Sequence, residues 1–241
     1  MSRVILSLAG ALAFCICSHA ETRTERYTSV ARDKNGAEAY QEKHEVLFSD
    51  RSVQKANTQY LDPKGHLIGE MTSDFTKMVT IPDYEYKNLR TGTSNGIKLD
   101  KNKITLWRKA KNGKIENIDF FRDKFSNDAL IVGCQGLHYY LIDNLEHVKE
   151  MKTVPVVYFI PGKLDYYKFS LKYDRDDEKY IYLTISIDNF LLRLFSSKLD
   201  LKYSKSDRHL VQFSGLSNIT NESDQMQNVV IDYKYDSHFA P

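Results

Sequence analysis

From Tyr27 onward the chain alternates apolar and polar residues with period two, and Gly, Asn, Asp or Pro breaks the alternation at short intervals. No other feature restricts the fold so strongly, because period two suits a strand with one wet face and suits no helix. Tyr167, Phe169, Leu171 and Tyr173 alternate with Lys168, Ser170 and Lys172. Ile181, Leu183, Ile185 and Ile187 make an aliphatic face backed by Tyr180, Tyr182, Thr184 and Ser186, which predicts a central strand covered on both sides. Leu199, Leu201 and Tyr203, then Val211 and Phe213, then Val229, Ile231, Tyr233 and Tyr235 repeat the pattern.

The connections agree with strands. Asp33-Lys34-Asn35-Gly36, Asp62-Pro63-Lys64-Gly65, Lys111-Asn112-Gly113-Lys114 and Asp174-Arg175-Asp176-Asp177 lie between extended runs, and the first three contain the residues of tight turns. Residues 53–61 with 66–75, and 104–110 with 114–120, are therefore predicted hairpins. Parallel pairing needs long crossovers, and none is read here, so the sheet is predicted to be antiparallel throughout.

One segment departs from this rhythm. Leu130, Cys134, Leu137, Leu141, Leu145 and Val148 recur at three and four positions, and Asn127 and Asp128 suit a helix start, so an amphipathic helix is predicted over 128–150. Gly133 and Gly136 each weaken a helix by about 1 kcal/mol relative to Ala, which close packing against a sheet would explain. Residues 189–195 fit either a strand end or one helical turn. The predicted fold class is mainly β (α+β): a long antiparallel sheet with too many strands to stay flat, curled into a half-barrel or barrel, with the one helix packed against it.

The N-terminus reads as an export signal. Arg3 precedes an apolar run over 4–16, and Ser18-His19-Ala20 puts small residues where a signal peptidase cuts, so 1–20 is read as a signal peptide cleaved after Ala20 and 21–241 as a single domain. The run is shorter than the roughly 20 apolar residues of a membrane span, so no span is expected after cleavage. Cys15 and Cys17 follow Phe14 and Ile16, which are too bulky for a lipoprotein signal, so lipid anchoring there is not expected. The mature chain then keeps Cys134 alone and can form no internal disulfide. A periplasmic or secreted location follows.

Composition and motifs exclude several function classes. A formal net charge of +2 supplies no field to draw in nucleic acid. The seven histidines form no metal-ligand motif, His44-Glu45 and the pair Asp143 and His147 being the nearest approach, so no metal is expected. Ser214-Gly215-Leu216-Ser217 lacks a nucleophile elbow, and no glycine-rich phosphate loop is present, so no cofactor is expected. Lys98, Lys101, Lys103, Arg108, Lys109, Lys111 and Lys114 gather around one hairpin with Trp107, either to meet an anionic partner or to keep a sheet edge soluble. Asn218-Ile219-Thr220 and Asn221-Glu222-Ser223 are glycosylation sequons that matter only in a eukaryotic secretory pathway.

Two sets of residues carry chemistry. Sixteen Tyr and twelve Phe include rings that would line a groove between sheet and helix for an apolar or lipid-like ligand, with Tyr167, Phe169, Tyr173, Tyr180, Tyr182, Leu137 and Leu141 as the lining. The plainer reading is that Tyr is a good strand former whose hydroxyl stays wet. Cys134 with His138 four residues on would make a hydrolase nucleophile and base if the thiol were exposed, whereas a lone Cys on an apolar stripe is ordinarily a small core residue.

Gly136-Leu137-His138-Tyr139-Tyr140, then Val156-Val157-Tyr158-Phe159-Ile160-Pro161 with Leu164 and Tyr167-Lys168-Phe169, then Leu191-Leu192-Arg193-Leu194, then LVQFSGLSN from Leu210 and Val230-Ile231-Asp232-Tyr233 resemble a family of uncharacterised exported envelope proteins of Gram-negative bacteria. The resemblance spans roughly 25–235, rests on scattered blocks and implies an envelope location, with no catalytic residue to transfer. The predicted shape is also similar to the periplasmic lipoprotein-carrier half-barrel, by analogy alone. Three functions are compatible with these features: non-enzymatic binding of an apolar ligand or of a partner protein in the groove, hydrolysis by Cys134 and His138, and assembly with another envelope protein through strand edges.

Overall fold

The computed structural model describes residues 21–126, 128–187 and 198–236. The signal region, Asn127, the ambiguous stretch 189–195 and the Leu191–Leu194 block lie outside the described residues. Fifteen strands and one long helix are described: β1 (Thr22–Arg32), β2 (Glu38–Ser49), β3 (Ser52–Leu61), β4 (Leu67–Asp74), β5 (Asp83–Asn88), β6 (Thr93–Asp100), β7 (Lys103–Lys109), β8 (Ile115–Phe121), β9 (Leu130–Gly133), α1 (Gly136–Met151), β10 (Thr153–Ile160), β11 (Asp165–Asp176), β12 (Tyr180–Ile187), β13 (Leu199–Ser204), β14 (Leu210–Thr220) and β15 (Met226–Tyr235). The protein is mainly β, as expected, and both predicted hairpins form as β3 with β4 and β7 with β8.

All strands belong to one sheet, ordered β8-β7-β6-β5-β4-β3-β2-β1-β15-β14-β13-β12-β11-β10-β9. The two ends of that order are neighbours in sequence, which dictates the shape. Laid flat, strands at a spacing of about 4.8 Å would hold β8 and β9 on the order of 65 Å apart. The link between them, residues 122–129, reaches roughly 30 Å fully extended. The sheet therefore has to roll up, and its right-handed twist turns it the same way.

The roll closes by side-chain packing rather than by a ladder. Ile81, Ile97, Leu99, Ile104 and Leu106, from the β4–β5 link, β6 and β7, form one buried cluster with Val157 and Phe159 of β10. One backbone bond accompanies the overlap, from Gly133 N–H to the Thr80 carbonyl at 2.9 Å. β10 is thus buried on both faces, because Val154 and Val156 face the opposite way into a second cluster.

Helix α1 lies inside the roll. Leu137, Leu141, Leu145 and Val148 form its stripe and pack on Val156, Leu171, Ile181, Leu183 and Leu201. On its other side Tyr139 meets Phe75 edge-on at 4.7 Å and Phe48 at 6.4 Å, from the first half of the sheet. The helix is a plug touched by both halves.

Three expectations are corrected. The helix begins at Gly136, eight residues later than predicted, because Leu130–Gly133 extend as a strand. Leu130 and Cys134 match helical spacing only by coincidence; the parallel pairing of Leu130–Gly133 with Val156–Phe159 of β10, together with the cost of Gly133 in a helix, decides against it. The sheet is not antiparallel throughout, since β9 pairs parallel with β10 and α1 is the crossover between them. Cys134 is therefore not on the apolar face of a helix; it sits at the strand-to-helix corner with φ 49°.

Candidate functional site

The residues predicted to line a groove divide between two faces. Leu137 and Leu141 are 6% and 0% exposed, and Phe169 and Tyr173 pack against the same cluster. The contact between helix and sheet is filled by these side chains. Tyr167 stands across from Tyr158, whose ring meets Phe169 at 6.2 Å and whose hydroxyl donates to the Cys134 carbonyl at 2.8 Å.

Tyr180 and Tyr182 do not line that groove, because their neighbours Ile181 and Leu183 take the inward positions and alternation turns the two tyrosines outward. Outside, Lys202 lies 4.0 Å over the Tyr180 ring and the Arg175 guanidinium 3.7 Å over the Tyr182 ring, while Tyr182 donates to Asp177 at 2.9 Å. Cations already cover these rings.

Cys134 and His138 also have separate partners. The Cys134 thiol contacts the Met71 thioether at 3.2 Å, and burial pushes its pKa up to about 12, away from a reactive thiolate. His138 Nδ1 shares a hydrogen bond of 3.0 Å with Tyr203 Oη, the rings stacking at 5.9 Å. No hydrogen bond joins Cys134 to His138 among the described residues.

The structure assembles a polar chain beside the helix that the sequence analysis missed. Glu42 and His44 occupy the inward register of β2 shared with Tyr40, Val46 and Phe48. Ser29 donates to Glu42 Oε2 at 2.6 Å, and that oxygen also holds His44 Nε2 at 2.9 Å. His44 Nδ1 then meets Thr58 Oγ1 at 3.0 Å, and Gln135 donates to the same Thr58 oxygen at 3.4 Å. Tyr27 stacks on the His44 ring at 4.2 Å. Hydroxyl, imidazole and carboxylate thus stand in the order of a catalytic triad, but Thr58, His44 and Glu42 are 2%, 8% and 6% exposed, so these groups satisfy one another and offer no approach to a substrate. A His and a Glu interrupting an apolar register were the available signal. A second pair, His209 Nε2 with Glu25 Oε1 at 3.3 Å, has its ring stacked on Tyr235 at 3.8 Å.

His138 makes the interior sensitive to pH. Desolvation first, then the neighbouring His44 and His209, push its pKa down to about 3. The unfolded chain takes up this proton near pH 6.5 and the folded one does not, so stability is retained above pH 6.5 and lost as the pH falls toward 3. The carboxylates held low, such as Glu116 at about 2, act only below the ordinary carboxylate range and leave the interval from pH 5 to 7 to histidine. Urea denaturation is expected to show up to about 2 kcal/mol lost between pH 7 and pH 5 through this group. His138→Asn should flatten that slope; an unchanged slope would assign it elsewhere.

The remaining feature is the sheet's outer end, β8. Among the described residues it ends the strand order and pairs only with β7, and it exposes Ile115 (60%), Ile118 (40%) and Phe121 (45%). Ala110 N–H donates to the Lys114 carbonyl and Gly113 N–H to the Ala110 carbonyl, each at 2.9 Å, with Gly113 at φ 84°. Those bonds set the ladder's parity, so Glu116, Ile118 and Phe120 bond to β7, while Ile115, Asn117, Asp119 and Phe121 turn their N–H and C=O groups to the open side. The basic hairpin of the sequence analysis is this edge. Three of its seven basic residues pair with the carboxylates of β8, Arg108 and Lys114 with Glu116 at 2.7 and 2.8 Å and Lys103 with Asp119 at 3.5 Å. The edge that Lys was expected to keep soluble therefore presents few uncompensated charges along β8.

No group of His, Cys, Asp and Glu suited to a metal occurs among the described residues, and no helix among them is long and apolar enough to cross a membrane. No protein-family model matches the chain, and no curated protein matches it. Among solved structures the chain is similar to the crystal structure of a beta-barrel-like protein of the domain of unknown function DUF1849 from Brucella abortus, at 8% identity and a TM-score of 0.43, over 90% of this chain and 98% of that one.

Proposed function

We propose that the protein is an exported, non-enzymatic assembly protein that holds a partner-protein strand on its free edge β8. One observation carries this reading: the strand that ends the sheet combines outward-facing backbone groups with exposed Ile115, Ile118 and Phe121. An added strand would satisfy the backbone groups, and the apolar side chains would give the contact its selectivity. The filled groove favours this reading over an apolar ligand between sheet and helix, since Leu137 and Leu141 already occupy that space. The export signal, with cleavage after Ala20, supports an envelope or secreted site of action.

The test is site-specific photo-cross-linking in cells. A photoreactive residue at position 117 or 119 is expected to give an adduct of discrete mass, and one at the exposed Lys168 of β11 to give none. Adding Asn117→Pro removes an outward N–H without touching the β7 ladder, and should abolish the position 119 adduct while circular dichroism stays unchanged. Equal adducts at 119 and 168, or an adduct indifferent to Asn117→Pro, would overturn the reading.

A further inference from the structure

The pattern of β8 fits one strand well, namely itself. Resting on the edge-pairing reading above, we infer that the partner is a second copy of this chain, docked antiparallel across a two-fold axis at Ile118. The register follows from the residues. Ile115, Asn117, Asp119 and Phe121 carry the outward backbone groups, so pairing two copies must oppose odd-numbered residues to odd-numbered residues. Centring the axis on Ile118 is the arrangement that engages all of them, with Ile115 of one copy opposite Phe121 of the other and Asn117 opposite Asp119.

Side chains select the same centre. With the axis at Ile118, the exposed apolar residues Ile115 and Phe121 cover each other, and Ile118 covers its own copy. Moving the axis to Asn117 sets Ile115 against the Asp119 carboxylate. Moving it to Asp119 sets two carboxylates directly opposite each other, which like charge disfavours. Glu116 keeps its bonds to Arg108 and Lys114 in the favoured register and meets the Phe120 edge of the other copy. The two rolls would then share one continuous sheet, with β8 no longer an edge.

Light scattering and native mass spectrometry of the purified mature protein at about 50 μM are expected to give twice the monomer mass. Ile118→Lys places two ammonium groups at the axis and should return the protein to monomer with an unchanged circular dichroism spectrum. Mixing it with Ile118→Glu should restore a dimer of one copy of each, which a merely structural defect would not do. Ile118→Cys should oxidise to a covalent dimer, because facing residues in a non-hydrogen-bonded pair lie about 4.5 Å apart at Cα, within disulfide reach. Ile115→Cys, which faces Phe121 rather than itself, should cross-link far more slowly. A monomer at 50 μM, or equal cross-linking at 115 and 118, overturns the inference. If the protein is monomeric yet position 119 still yields a heterologous adduct in cells, the edge-pairing reading survives alone; a monomer with no adduct removes both.

Discussion

Phe159→Ala is expected to destabilise the protein by about 3–5 kcal/mol, read as a lower denaturation midpoint in guanidinium at an unchanged slope. Phe159 is 0% exposed and stands where the two ends of the sheet overlap. Its ring meets Phe120 of β8 at 5.4 Å, Phe125 at 5.6 Å and Tyr166 of β11 at 5.9 Å, in tilted and edge-on contacts. Because this overlap lacks a hydrogen-bonded ladder, its strength is almost wholly side-chain packing, and the lone Gly133 N–H to Thr80 carbonyl bond does little to hold a cavity there closed. The strands around the site belong to opposite ends of one roll and are poorly placed to collapse into the space, so the cost should fall at the upper end of the range. Leu89→Ser, 46% exposed in the β5–β6 turn and away from β8, is the control and should change stability by less than about 0.5 kcal/mol. A small effect at Phe159 would mean that the ends are held by something other than this cluster.

Gly136→Ala should cost about 3 kcal/mol or more, beyond the usual range for an added methyl in a core, and should show as loss of soluble protein or as a steep fall in thermal midpoint. A Cβ at Gly136 would collide with the carbonyl carbon and oxygen of Thr80 and fall 2.9 Å from the Val79 oxygen. These are backbone atoms of the β4–β5 link, which the Gly133 N–H also ties down through the Thr80 carbonyl. Neither side can yield by changing a rotamer, so relief requires shifting the start of α1 or the whole link. At Gly133 a Cβ would meet only the tip of the Ile97 side chain, at 2.5 Å, and that side chain can turn away. Gly133→Ala should therefore be milder than Gly136→Ala, and the reverse order would refute the close approach seen at the helix start.

Much of the fold could be read from the chain because strand alternation and turn chemistry are local. Tyr40, Glu42, His44, Val46 and Phe48 share one face of β2 for the same geometric reason that Phe169, Leu171 and Tyr173 share one face of β11. The hairpin over β7 and β8 was legible from Asn112-Gly113 and its flanks. The helix stripe was legible too, but its start was not, since Leu130 and Cys134 obey helical spacing while belonging to a strand and a corner. What decided between them was a partner distant in sequence, Val156 to Phe159 of β10, against which Leu130 to Gly133 pair in parallel.

The candidate site was less legible. Tyr180 and Tyr182 could be placed on one face, but not inside or outside, because both faces of β12 are rich in apolar and aromatic atoms. The chain of Ser29, Glu42, His44 and Thr58 draws on three strands, and nothing in the spacing of these residues announces that they meet. The edge hairpin was noticed for its lysines, while its meaning depended on which strand ends the sheet.

By itself the amino-acid sequence determined that the chain makes strands, where three of the turns fall, which residues share a face and that a single long amphipathic helix interrupts them, although Asp174–Asp176, read as a connection, continue β11. The number of strands also required the sheet to curl against that helix; the tertiary structure alone decided that its two ends overlap by side-chain packing, that β10 is covered on both faces, and that β8 is left open. Alternation and turns arise from steric preferences within a few residues, whereas closure, burial and a free edge depend on which strands far apart in the chain come to lie side by side.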